Sequence, residues 1–130
     1  MQEQKLKKLK VQSPDDRLLD KVMKVINDNL GNPDLNVEMI ATEVGISRVH
    51  LHRKLKELTN QSTRDLIRNV RLKQAASLLA NQYHNITEVA SLTGFTNIAY
   101  FSTAFKELYG VPPTTYMEEQ QKSSSDEIKQ

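Results

Sequence analysis

Val37-Glu38-Met39-Ile40-Ala41-Thr42-Glu43-Val44-Gly45-Ile46-Ser47, followed by Leu51-His52-Arg53-Lys54-Leu55-Lys56-Glu57-Leu58, states a pattern that the chain repeats about 50 residues later. The second copy is Ile86-Thr87-Glu88-Val89-Ala90-Ser91-Leu92-Thr93-Gly94-Phe95-Thr96, followed by Phe101-Ser102-Thr103-Ala104-Phe105-Lys106-Glu107-Leu108. Ala41 and Gly45 match Ala90 and Gly94 at an offset of 49. Leu51, Leu55, Lys56, Glu57 and Leu58 match Phe101, Phe105, Lys106, Glu107 and Leu108 at an offset of 50, so the extra residue falls just after the second turn. Each copy reads as a short helix, a glycine turn and a longer helix. That is a helix-turn-helix, and two of them in one small chain point to DNA.

Around the repeat, start and stop signals define further helices. Ser13-Pro14-Asp15-Asp16 predicts a helix start, with Ser as cap, Pro in the first turn and acids facing the helix dipole. Leu18, Leu19, Val22, Met23, Val25, Ile26 and Leu30 form its apolar stripe, and Gly31-Asn32-Pro33 stops it. Asn36 and Ser47 are expected to cap the two helices of the first copy, and Asn85-Ile86-Thr87-Glu88 to open the second. Ser62-Thr63-Arg64-Asp65 begins a long helix to about Ala80, whose apolar positions are Leu66, Val70, Ala75, Ala76, Leu78 and Leu79. About 17 residues at this rise make a rod of roughly 25 Å. After Gly110-Val111-Pro112-Pro113 comes a last short helix with Tyr116 and Met117, and Ser123 onwards reads as a disordered polar tail.

The expectation is an all-α fold of seven helices, in which a long linker helix joins two helix-turn-helix subdomains. The segments are a lead or linker (1–12), the first helix and first motif (13–62), the linker helix (63–80), the second motif with the last helix (81–121) and the tail (122–130). No strand-period segment occurs.

Composition narrows the function. Hydrophobic residues make up 38% and charged residues 26% of the 130 residues, which suits a globular chain. With aromatics at 5% and no Trp, the core is expected to be aliphatic. No apolar run approaches the roughly 18 residues of a membrane span, and the lysine-rich start lacks a signal peptide's apolar stretch. Cysteine is absent, so disulfides, thiol nucleophiles and thiolate metal sites are excluded and a reducing cytoplasm is consistent. His50 and His52 lack the one-face helical spacing of a metal pair, and His84 reads as a polar loop residue. No Ser/His/Asp set, paired acids or phosphate-cradling loop is present. The chain is therefore expected to be no enzyme, with no cofactor.

Charge is informative through its distribution. The net charge is only +2, yet Ile46 to Lys73 carries eight basic residues against Glu57 and Asp65 alone, while the chain from Gln74 onwards carries more acids than bases. A local excess of this kind on two successive helices suits phosphate binding.

Helical spacing names the residues that could meet DNA. With Leu51, Leu55 and Leu58 inward, Val49, His52, Arg53 and Lys56 share the opposite face, with Arg48 at its edge. Arg53 can chelate guanine O6 and N7, His52 can donate to a base or phosphate, and Val49 can touch a thymine methyl. Lys56 and Arg48 are better placed for phosphate. In the second copy Phe101, Phe105 and Leu108 are expected inward, and Tyr100 in the core. Its outward face is Ala99, Ser102, Thr103 and Lys106, with Asn97 near the N-terminus. That face is small and nearly uncharged, so the two halves are expected to read unequally.

These residues, with Arg71-Leu72…Ala75…Leu78-Leu79 and Val89-Ala90…Gly94-Phe95…Tyr100-Phe101…Phe105-Lys106…Gly110-Val111-Pro112-Pro113…Tyr116, resemble the AraC/XylS transcription regulators. The resemblance covers about residues 35 to 117, with the module extending back to about 15. It implies a seven-helix domain whose long helix holds two recognition helices in adjacent major-groove segments on one DNA face. Two departures stand out. Thr103 occupies a position where the family often has Arg, which weakens base reading by the second motif. Asn60 and Thr63 stand where the second copy has Gly110 and Pro113, which weakens the turn signal there.

Ser13-Pro14-Asp15 and Ser47-Arg48-Val49-His50-Leu51-His52-Arg53-Lys54-Leu55 further resemble the C-terminal output domain of hybrid two-component sensors. That implies upstream sensor or receiver domains in the same polypeptide, an activator role, and in that subclass control of carbohydrate-uptake genes. The expected partners are double-stranded promoter DNA, those upstream domains and RNA polymerase, with no membrane contact. The competing class is a helical protein-binding module that has kept the fold and lost DNA affinity.

Overall fold

The computed structural model describes residues 12–81 and 84–129, and the lysine-rich lead, with its Leu6/Leu9 periodicity, lies outside the described residues. Seven helices and no strand occur among the described residues: α1 Pro14–Asp28, α2 Val37–Val44, α3 Arg48–Thr59, α4 Thr63–Asn81, α5 Ile86–Leu92, α6 Ile98–Tyr109 and α7 Pro113–Lys129. Among them, no helix is long and apolar enough to cross a membrane.

The starts follow the capping logic of the sequence. Ser13 Oγ accepts from Asp16 N–H at 3.1 Å, Asn36 Oδ1 from Met39 N–H at 2.9 Å and Ser47 Oγ from His50 N–H at 3.1 Å. Ser62 Oγ and Asn85 Oδ1 do the same for Asp65 and Glu88, at 3.1 and 2.8 Å. Each satisfies an orphan amide of a first turn. The doubtful turn after α3 is intact, because Asn60 adopts a left-handed conformation at φ 58°, matching Gly110 at φ 82°. Asn tolerates that region through its short polar side chain.

The repeat is also a structural one. Ile46 N–H donates to Ala41 O at 3.1 Å, and Phe95 N–H to Ala90 O at 2.8 Å, so the turns superpose at the first offset. The caps Ser47 and Asn97 stand at the second offset, and the inserted residue is Thr96.

Two separate cores share α4. Leu66, Ile67 and Val70 of its first half pack with Val22, Ile26, Ile40, Leu51 and Leu55. Leu72, Ala75, Ala76 and Leu79 of its second half pack with Val89, Ala90, Phe101 and Phe105. The helix is thus buried on different sides along its length, which is why Ile67 and Leu72 fall outside a single apolar stripe.

Three expectations are corrected. The core is aliphatic only in the first lobe: all three Phe lie in the second, with Phe95–Phe101, Phe101–Phe105 and Phe105–Tyr116 centroids 5.0, 5.8 and 5.4 Å apart. Leu108 and Tyr100 are exposed, at 46% and 50%, rather than inward. The final helix is not short, since α7 runs to Lys129 in place of a disordered tail, there being no Gly or Pro after Pro113 to stop it.

Candidate nucleic-acid interface

Leu51 and Leu55 are completely buried, which fixes the roll of α3 about its axis. The 100° step per residue then turns Val49, His52, Arg53 and Lys56 to solvent, and all four are exposed, as is Arg48 at the first helical position. Val49 is 78% exposed, a large apolar side chain with no contact to protect it. Singly exposed valines are common, but this one sits among cations on a helix otherwise anchored by leucines. The five predicted residues of the first motif therefore form one continuous surface.

Phe101, Ala104 and Phe105 bury α6 in the same way. Ala99, Thr103 and Lys106 are exposed and Ser102 is half-buried. Asn97 has a structural duty: its Oδ1 accepts from Tyr100 N–H at 2.9 Å as the cap of α6, leaving its Nδ2 as a free donor. The second face carries one cation, Lys106, and is the poorer in hydrogen-bonding groups.

The basic excess of the sequence is not all presented. Arg71 is 6% exposed and lies where the two cores meet. Its Nη1 donates to Leu30 O at 2.8 Å and Thr93 O at 2.9 Å, and its Nη2 to Asn32 O at 2.9 Å. No carboxylate pairs with it among the described residues, and burial pulls its pKa below the usual guanidinium value. Arg71 is therefore an inter-lobe brace and not a phosphate ligand. Lys54 reaches back to Asp15 of α1 at 3.1 Å, Arg68 pairs with Asp65 at 3.3 Å and Arg48 with Glu38 at 3.5 Å. Arg53, Lys56 and Arg64 carry no ion pair among the described residues. His84 does more than fill a loop, since its Nδ1 lies 3.3 Å from Glu88 Oε2.

A cleft of about 490 Å³ opens between the lobes. Three arginines, Arg64, Arg68 and Arg71, line it together with the cap residues Asn36 and Asn97. The sequence alone did not single it out, because its walls come from three separate stretches of chain, 33–37, 64–71 and 94–100.

Two exposed recognition-type helices, each delivered by a glycine turn and held by one shared rod, define a double helix-turn-helix protein. The helix-turn-helix domain family matches residues 40–119 of the chain. The chain belongs to that family, in its AraC-type branch of DNA-binding transcription regulators. It is 35% identical over 106 residues to histidine kinase P4 of Formosa agariphila, covering 82% of this chain and 8% of that protein. It is 33% identical over 101 residues to the Msm operon regulatory protein of Streptococcus mutans, covering 78% of this chain and 36% of that one. Among solved structures, the C-terminal domain of AraT, a response regulator from Geobacillus stearothermophilus, matches with a TM-score of 0.73 at 32% identity, covering 82% and 86% of the two chains. The chain thus spans between 8% and 36% of the length of these two curated relatives.

Proposed function

We propose that the chain is the output module of a larger signal-responsive regulator, binding promoter DNA with α3 and α6 in adjacent major-groove segments. The observation that carries this is the shared surface of Val49, His52, Arg53 and Lys56, exposed on a helix whose opposite side is completely buried. A rod of the length of α4, about 28 Å, is comparable to the roughly 34 Å between major-groove segments on one face of the duplex. In this reading Arg53 chelates a guanine, His52 donates to a base or phosphate and Val49 meets a thymine methyl. Arg48 and Lys56 take phosphates. Ala99, Ser102, Thr103, Lys106 and Asn97 add short, weakly specific contacts.

The match to a small part of a much longer histidine kinase and to the C-terminal domain of a response regulator supports upstream sensor or receiver domains in the same polypeptide, acting in the cytoplasm where the DNA is. Activation through RNA polymerase fits such a module. Two copies brought together by those domains would gain affinity through effective concentration, without new DNA contacts.

Selection from a random duplex library, followed by a salt titration of the selected site, tests this. A defined consensus and a steep negative slope of log affinity against log salt are expected. No enrichment and no slope would instead favour a protein-binding module.

A further inference from the structure

The inter-lobe cleft is a second basic surface, apart from the exposed face of α3. Its lining includes Arg64, Arg68 and Arg71 and no carboxylate, in a chain whose net charge is only +2. Asn36, the cap of α2 in the first lobe, and Asn97, the cap of α6 in the second, both line it. Each has its side-chain oxygen committed to a helix cap, so only its amide N–H groups remain for a ligand. Arg64 is exposed, and the Arg68–Asp65 pair is a surface contact between neighbours on one helix, easily exchanged for another anion. The wall is therefore built of donors and positive charge.

The position of the cleft identifies the anion. Asn97 is the cap of α6, and Asn36 and Val37 also border the small depression that holds Arg48, the first residue of α3. The cleft thus borders the N-terminal end of α6 directly and, through Asn36 and Val37, adjoins the depression that holds Glu38 and Arg48 at the start of α3. If these helices occupy successive major-groove segments, what passes between them is the sugar–phosphate backbone flanking the intervening minor groove.

We propose that this cleft is a phosphodiester site, in which Arg64 and Arg68 hold the duplex backbone between the two half-sites while the cap asparagines donate to the same phosphates. The proposal rests on the DNA-binding function above and adds residues outside both recognition helices. Such contacts set register on the duplex and carry no base information. Arg71, with three of its donors satisfied by carbonyls, contributes its field and holds the walls apart.

The test uses the whole chain with its selected duplex. Arg64→Gln and Arg68→Gln should each lower the salt slope by about one unit and the double variant by about two, with base preference unchanged. On a duplex carrying methylphosphonates at the phosphates between the half-sites, wild type and double variant should bind alike. If Arg68→Gln disturbs folding, the exposed Arg64→Gln gives the same comparison alone. An unchanged slope, or an equal loss on the methylphosphonate duplex, overturns the proposal. So does pyrophosphate binding to the free protein that both substitutions abolish without changing the slope, which would assign the cleft to a free anion. A wild type with no salt-dependent binding to any duplex would overturn the DNA-binding function itself, and this site with it.

Discussion

Gly94 leaves the space that the Arg71 guanidinium fills. A Cβ on Gly94 would fall on Arg71 Nη1 and come within 2.5 Å of Leu30 O, the carbonyl that the same nitrogen engages. Gly94 also holds φ at +86°, a conformation that side chains resist. The glycine of the second turn thus serves two ends: it bends the chain into α6, and it admits the side chain that ties the second lobe to the first.

Gly94→Ala should therefore cost far more than Gly45→Ala. Gly45 shares the left-handed turn conformation, at φ +77°, but has open space where its Cβ would be. Left-handed strain alone predicts a loss of about 1–2 kcal/mol at Gly45, against about 3 kcal/mol or more at Gly94, where a buried hydrogen-bonded charge is displaced. Urea denaturation of both variants measures the difference. Equal losses would mean that Arg71 relocates without cost.

Arg48 and Glu38 make the second forecast. Their 3.5 Å pair is exposed on both sides, at 67% and 74%, and sets an acid beside the N-terminus of α3. Glu38→Gln should release Arg48 and remove repulsion, tightening duplex binding about two- to fivefold. Fluorescence anisotropy at fixed salt gives the result. Unchanged or weaker affinity would remove Glu38 from the neighbourhood of the phosphates.

The unequal halves can be tested by exchange. Arg53→Ala should cost about 1–3 kcal/mol of binding and relax preference at one base pair. Thr103→Arg, on the exposed face of α6, should gain affinity and add a preference at a new position. Competition binding against single-base variants of the selected duplex reads both. A loss for Arg53→Ala that is equal on every sequence would make Arg53 a phosphate contact.

Thr63 supplies a stability forecast. It is 1% exposed at the start of α4, and its hydroxyl has no hydrogen-bond partner among the described residues. Thr63→Val keeps the shape and removes an unsatisfied buried polar atom, so it should stabilise the fold by about 1 kcal/mol. Thermal unfolding by circular dichroism decides it, and a lower midpoint would show that the hydroxyl finds a partner in solution.

The sequence by itself determined where the helices begin, their caps and turns, and the outward face of α3. Those features depend on groups within about four residues of each other, such as Ser47 and His50 or Gly45 and Ala41. The same short range explains why periodicity puts Val49, His52 and Arg53 on the exposed side of α3. The fate of individual charges was decided only by tertiary structure. Arg71 belongs to the basic run of the sequence, yet its partners, at separations of 41, 39 and 22 residues, hold it between the lobes. Leu108, matched to a half-buried Leu58 by the repeat, is left exposed because Phe101, Ala104 and Phe105 already fill the second core. The arginine-lined cleft likewise exists only once α4 draws two distant stretches, 33–37 and 94–100, together against itself. Local hydrogen bonding can be inferred from neighbours in the chain, whereas burial and charge pairing depend on which remote surfaces compete for the same space.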